Sequence, residues 1–271
     1  VHDFANAVQK HLTGFEGSFG TQIVFSILKG DYKFIEIMDM DGGRRGGLIR
    51  NGSVNLFPSW GMGGIFYTSF KRGKPDIYFG KRRISQDAGH YRKVAVSRDG
   101  SKLVASISYG GQSDLYLLNK AGKRLKNLTR SGADEVSPTF SPNGDKIAFV
   151  SSASGGPQIY VMSASGGAKK RLTHAGSYNY APDWGANGLI VFSGMDGNRS
   201  DVFTVTEGGV MQRLTQGQGS NRYPSWSPDG RYVAFVGRRK GKTRIWLMSA
   251  DGRYQYPVSR GAGVSNIAWQ R

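Results

Sequence analysis

Residues 223–252 read YPSWSPDGRYVAFVGRRKGKTRIWLMSADG. An anchor tryptophan two places after a proline is followed by a Gly-containing turn and a short apolar strand. A basic loop, an alternating strand and a second Gly turn complete the pattern. Related copies recur along the chain. Aligned on the anchor, "FPSWGMGG" gives Trp60, "SPTFSPNG" Phe140, "APDWGANG" Trp184 and "YPSWSPDG" Trp226. Two degenerate copies, "KVAVSRDG" and "NIAWQR", give Val96 and Trp269. Successive anchors are 36, 44, 44, 42 and 43 residues apart. Such a period marks a repeat architecture.

Each full copy holds strands of about five residues broken by turns every 8–12 residues, the pattern of all-β structure. The Asn-Gly and Asp-Gly turns are expected to supply the positive φ angles of tight hairpins. Four strands in about 43 residues make one propeller blade. The ends of the chain choose a ring over an open solenoid. The last copy holds only its first strand, at Trp269. The three strands that would complete it lie near the start, in "TQIVFSIL", "KFIEIMDMDG" and "RRGGLIR". Ring closure leaves no unprotected sheet edge. The sequence therefore predicts a six-bladed, four-stranded propeller over residues 21–271, closed by both ends of the chain. Unit two is short and is expected to be trimmed around "FGKRRIS". Within "VHDFANAVQKHLTG", Phe4, Val8 and Leu12 fall on one helical face beside Ala5, with Asp3 placed to cap the start and Gly14 the end. A helix this short is marginal alone. It is expected to pack on the propeller or to belong to a further domain.

Composition narrows the function. Lys and Arg number 37 against 19 Asp and Glu, giving a formal charge of +18. That charge fits either a solvated basic surface or an anionic partner, whether nucleic acid, an envelope surface or an acidic protein, and the basic residues form short groups with no nucleic-acid module present. With 0 cysteines, disulfides, thiolate metal sites and cysteine catalysis are excluded. No run approaches the roughly 18 apolar residues of a membrane span. The absence of a charged-then-apolar leader reads as a mature or trimmed product.

The entry segment from His2 to Thr21 carries His2, Ala5, Leu12, Thr13, Gly14, Gly17, Phe19 and Thr21 at a distinctive spacing. Together with the "LT…P-x-W-S-P-D-G…AF" repeat from Leu214 to Phe235, it resembles the TolB family of the Gram-negative periplasmic Tol–Pal system. The resemblance covers the whole chain. It implies a non-enzymatic periplasmic scaffold whose propeller binds the peptidoglycan-associated lipoprotein Pal and is exploited by colicin-type peptides. It also implies that residues 1–20 are the junction left by an N-terminal α/β domain. The TolA contact that the family makes through its N-terminal region is not expected of this chain. A monomer is expected, and no cofactor or metal.

The histidines, His2, His11, His90 and His174, lack metal spacing, and no nucleophile elbow appears. "GRRKGKT" from Gly237 has three residues between its glycines where a phosphate loop needs four, and it joins two strands. Asp39 and Asp41 in "MDMDGG" read as turn residues. The enzyme alternative, a propeller lyase or hydrolase of polysaccharide or peptide, would need His, Asp or Glu clustered in the channel. A nucleic-acid binder is the third reading.

The binding reading places partner contacts on the loops entering each first strand. Asn55, Tyr91, Glu135, Asn179 and Asn221 fall at equivalent places there. His90, His174, Tyr178, Arg222 and Ser265 lie beside them. On the same face Lys71, Arg72, Lys74, Arg238, Arg239 and Lys240 are expected to steer an acidic partner.

Overall fold

Antiparallel pairing follows directly from the short alternating segments, and it yields six separate four-stranded sheets. The computed structural model describes residues 2–13, 17–259 and 263–271. The innermost strands are Asn55–Gly61, His90–Val96, Glu135–Phe140, Asn179–Trp184, Ser220–Trp226 and Val264–Trp269, and they head blades I to VI in that order. Each inner strand contacts the inner strands on either side, and the sixth touches the first. The sheets therefore surround one channel.

Blade VI is built from both ends of the chain, as expected. Val264–Trp269 pairs with Gln22–Lys29, with Trp269 opposite Ile23. The strands Tyr32–Asp39 and Gly46–Ile49 complete that sheet. Gln270 N donates to Gln22 O (2.8 Å), Gln22 N donates back to Gln270 Oε1 (3.1 Å), and Trp269 Nε1 donates to Thr21 Oγ1 (2.8 Å).

The core is six apolar seams, one between each pair of neighbouring blades. Trp269 sits with Ile23 and Phe25 against Ala234, Val236, Ile245 and Leu247 of blade V. Trp226 packs on Val191 and Val202 of blade IV, Trp184 on Ala148 and Val150 of blade III, and Phe140 on Val104 and Leu115 of blade II. Each anchor thus fills the wedge towards the preceding blade. This explains why the most bulky residues recur at the anchor: burying a large aromatic supplies more apolar area than any other side chain. Where the anchor is Val96, Tyr91 and Val94 fill the seam between blades I and II.

The turns differ from expectation in one respect. In Ser227–Gly230 only Gly230 is left-handed (φ 70°), and Asp229 is not. Instead Asp229 Oδ1 accepts from Arg231 N (3.1 Å) and from the Ser227 hydroxyl, while Gly230 N donates to Ser227 O (3.0 Å). The acid folds back onto the backbone, as Asp and Asn do in turns, so one glycine suffices. The trimmed unit turns through Gly80 and Lys81 between Asp76–Phe79 and Arg82–Arg83. "GRRKGKT" is the hairpin between Tyr232–Arg239 and Lys242–Ser249, with no helix after it. Asp41 caps its own turn by accepting from Gly43 N (2.8 Å).

The helix His2–Thr13 forms, but it does not pack through its apolar stripe. Phe4 is 75% and Val8 40% exposed. Contact is made by the polar flank. Asn6 exchanges two bonds with the Phe19 backbone, and Gln9 reaches Asp229. An amide that satisfies both a backbone N–H and C=O fixes the helix orientation, whatever the apolar period favours. The expected cap at Gly14 and the side chain of Leu12 lie outside the described residues. No helix among the described residues is long and apolar enough to cross a membrane.

Candidate functional site

The channel mouth is shaped by a repeated irregularity. Every inner strand carries a bulge opposite its neighbour, between Leu56 and Ser59, Tyr91 and Val94, Val136 and Thr139, Tyr180 and Asp183, and Arg222 and Ser225, with the sixth opposite Phe25 and Ser26. Five non-glycine residues at these bulges are left-handed: Phe57 (φ 50°), Ser137 (55°), Ala181 (51°), Tyr223 (53°) and Asn266 (45°). Four precede Pro58, Pro138, Pro182 and Pro224. A bulge leaves one residue out of the ladder, and a proline there leaves no N–H without a partner. Each such backbone costs on the order of 1–3 kcal/mol. Its recurrence around one opening identifies a structure that the ring maintains.

The result is a cup of about 310 Å³. The five left-handed residues and Lys93 of blade II line it, one from each inner strand. Pro58, Pro157, Tyr178, Tyr180, Pro224 and Ile267 add apolar wall, and Arg92 and Asp134 add charge. Tyr180 meets Tyr178 edge-on (5.4 Å between centroids) and Tyr223 likewise (5.9 Å). Its hydroxyl lies 2.9 Å from Ser200 Oγ, and burial pushes the phenol above its ordinary range. Tyr178, 44% exposed, is the accessible rim of this aromatic set. Below the cup the channel narrows to a waist of about 70 Å³ holding Lys93, Asp183 and Arg271. Beyond the waist it opens on the hairpin face into a second hollow of about 310 Å³, lined by the turns at Met62, Asp99, Pro142 and Pro228.

The sequence-selected ring is elsewhere. Asn55, Tyr91, Glu135, Asn179 and Asn221 are at most 1% exposed, so they present no surface to a partner. Asn55, Asn179 and Asn221 lie between blades as latches. Asp201 Oδ1 accepts from Asn221 Nδ2 (3.2 Å) and Thr215 Oγ1 (2.6 Å), and Oδ2 pairs with Arg213. Gln158 Oε1 accepts from Asn179 Nδ2 (2.8 Å) and Thr173 Oγ1 (2.7 Å). Glu135 Oε1 accepts from Ser131 Oγ (2.8 Å) and Lys169 Nζ (2.9 Å). Asn55 Nδ2 donates to Lys33 O (2.8 Å), tying blade I to blade VI. Buried polar groups call for partners: the Asn55, Asn179 and Asn221 bonds join neighbouring blades, Glu135 is held by its own blade and the loop before it, and Tyr91 packs in the apolar seam between blades I and II.

Of the remaining expected contacts, Tyr178 is in the cup. His90 and His174 are exposed, Arg222 and Ser265 half-buried, and none of these four lines the cup. Lys71, Arg72, Arg238 and Lys240 are exposed. Lys74 Nζ is tied to Asp87 O (3.2 Å). Arg239 is not free to steer: its guanidinium lies 3.9 Å from the Trp246 ring centroid and donates to Gln255. Among the described residues no group of three His, Asp or Glu gathers.

Comparison with known proteins agrees with this architecture. A family model described as TolB beta propeller domain matches residues 9–271. The chain is 38% identical over 149 residues to a TolB homolog of Chlorobium chlorochromatii, a match covering 52% of this chain and 34% of that protein. It is 36% identical over 144 residues to the Tol-Pal system protein TolB of Desulfosudis oleivorans, covering 48% and 32%. These matches span about a third of the relatives' length. The solved structure of TolB from Acinetobacter baumannii superposes with a TM-score of 0.86 at 26% identity, covering 99% of this chain and 71% of that one.

Proposed function

The chain belongs to the TolB β-propeller family, and on that premise we propose that it is a non-catalytic periplasmic scaffold of the Tol–Pal system. Its partner is a Pal-type outer-membrane lipoprotein, which docks on the cup. The observation that carries this reading is the ring of five left-handed residues, which turns one channel mouth into a preformed, aromatic, proline-walled recess. Strain maintained at one opening suits a site held ready for a ligand, and tyrosines supply contact area at low entropic cost. Tyr178 and Tyr223 are the anchors. Arg222, His90, His174 and Ser265 form the outer rim, and Lys71, Arg72 and Arg238 steer the partner in.

The test is calorimetric titration with the soluble domain of the Pal-type lipoprotein from the same organism. Changing Tyr178→Ala with Tyr223→Ala is expected to weaken binding about 30-fold, the loss of about 2 kcal/mol typical of a central aromatic anchor. His90→Ala with His174→Ala should change it less than threefold. Added salt should slow association more than it speeds release. Absence of binding to the unmodified chain, or a double-tyrosine variant that binds as well, would contradict the proposal.

A further inference from the structure

Lys93 differs from every other charged residue of the channel. It stands at the level of the five left-handed residues and lines both the cup and the waist. The waist's only carboxylate is Asp183, which is already engaged. It accepts from Trp226 N (2.8 Å) and Ser225 Oγ (3.1 Å) and pairs with Arg271. Asp183 and Arg271 therefore neutralise each other. Lys93 has no hydrogen bond or ion pair within 4.0 Å among the described residues. The same strand position on the other five blades is Phe57, Ser137, Ala181, Tyr223 or Asn266, none of which is ionisable in this way. One ammonium without a bonded partner among the described residues thus lines both the aromatic cup and the waist. Lys93 is half-buried, and a charge partly withdrawn from water gains from a partner.

We propose that the waist is a carboxylate site, in which Lys93 receives an acidic group carried by a segment that enters through the cup. This rests on the cup being the docking surface. The segment is extended, since the waist admits little more than a side chain, and it places apolar residues against Tyr178, Tyr180 and Tyr223. The carboxylate is an Asp or Glu side chain or a chain terminus.

A proton linkage follows. Burial holds the Lys93 ammonium below its ordinary range, with Asp183 opposing that shift and Arg271 adding to it. Arg92 from the same strand, Asp134 from the loop before blade III and the three tyrosines complete the surrounding groups. A bound carboxylate favours the charged lysine and raises its pKa. Binding therefore takes up protons between the free and bound pKa values, and affinity falls as pH rises through that interval.

The probes are three synthetic peptides: acetyl-Gly-Tyr-Glu-Tyr-Gly-amide, its Gln counterpart, and the Gln peptide with a free C-terminal carboxylate. Each is titrated calorimetrically in two buffers of different ionisation enthalpy, so that proton uptake is read beside affinity. The Glu peptide is expected to bind about tenfold more tightly than the Gln amide, as a charge-assisted bond requires, with proton uptake that grows as the pH is raised into the free lysine's titration range. Gain on the free-carboxylate peptide instead assigns the site to a chain terminus. Lys93→Met should erase both the preference and the uptake. It should leave the thermal midpoint unchanged or higher, since it removes an unpaired charge. Equal binding of Glu and Gln amides with no gain on the free carboxylate, or an unchanged preference in Lys93→Met, would overturn the site. If the lipoprotein domain binds Lys93→Met as it binds the unmodified chain, the carboxylate site falls and the docking surface stands. If the lipoprotein does not bind while the Glu peptide does so through Lys93, the reverse holds.

Discussion

Asp201→Ala is expected to destabilise the fold by about 3–5 kcal/mol, the cost of removing one partner of a buried ion pair. The side chain is almost wholly buried and serves three groups at once: Arg213, Thr215 and Asn221. Alanine removes the acceptor of Asn221 Nδ2 and of the Thr215 hydroxyl inside the seam between blades IV and V, and takes the negative charge from beside Arg213. Asp201→Asn keeps an acceptor for Thr215 and loses only the charge towards Arg213, so its loss should be smaller. In a domain of this size the alanine loss is a fall in thermal midpoint on the order of 10 °C. Calorimetric melting of the two variants checks it. A fall of a degree or two for Asp201→Ala would show that the latch is not a cohesive element of the ring.

Trp269→Ala is expected to cost as much for a different reason. Truncating a fully buried tryptophan typically loses 3–5 kcal/mol in transfer and cavity terms, and Trp269 is 1% exposed. Here the vacated space lies in the seam that joins blade V to the composite blade VI. The variant also loses the bond from the indole to Thr21. One strand from the end of the chain must hold a sheet begun near its start, so the weakened seam should release that strand first. Urea unfolding should show a lowered midpoint, and limited proteolysis should cut near residue 264 well before the remaining blades. Trp60→Ala, in the half-buried anchor of blade I, should cost less. Equal losses for the two would mean that closure carries no special load.

The ring itself was legible in the sequence because its signals repeat. Trp60, Phe140, Trp184 and Trp226 mark the period, and the stranded Trp269 with no following strands points to closure. The latches are hidden in the sequence because an Asn in a polar loop looks exposed in any single copy. A second pattern marks two of them: Asn179 and Asn221, like Glu135, each follow by six residues the threonine of a Leu-Thr pair, Thr173, Thr215 and Thr129. That fixed spacing between a hydroxyl and a hydrogen-bonding side chain is what a buried link between blades needs. The cup was only partly legible. Tyr178 stood out, whereas Tyr223 and Lys93 did not, because the bulge position holds Phe, Lys, Ser, Ala, Tyr and Asn in turn. What all but Lys93 share is a left-handed backbone, and composition does not record it. The helix misled for a similar reason. Its apolar period is real, yet Asn6 sets which side faces the propeller.

The two ends of the channel offer hollows of similar size, so the central claim is about which one is used. Hydrogen–deuterium exchange of the full chain, with and without the lipoprotein domain, separates them directly. The account predicts slowed exchange at the bulge segments around Leu56, Lys93, Ser137, Ala181, Tyr223 and Asn266. It predicts no change at the turns around Met62, Asp99, Asn143 and Asp229. Protection confined to those turns, with the bulges exchanging as before, would contradict it.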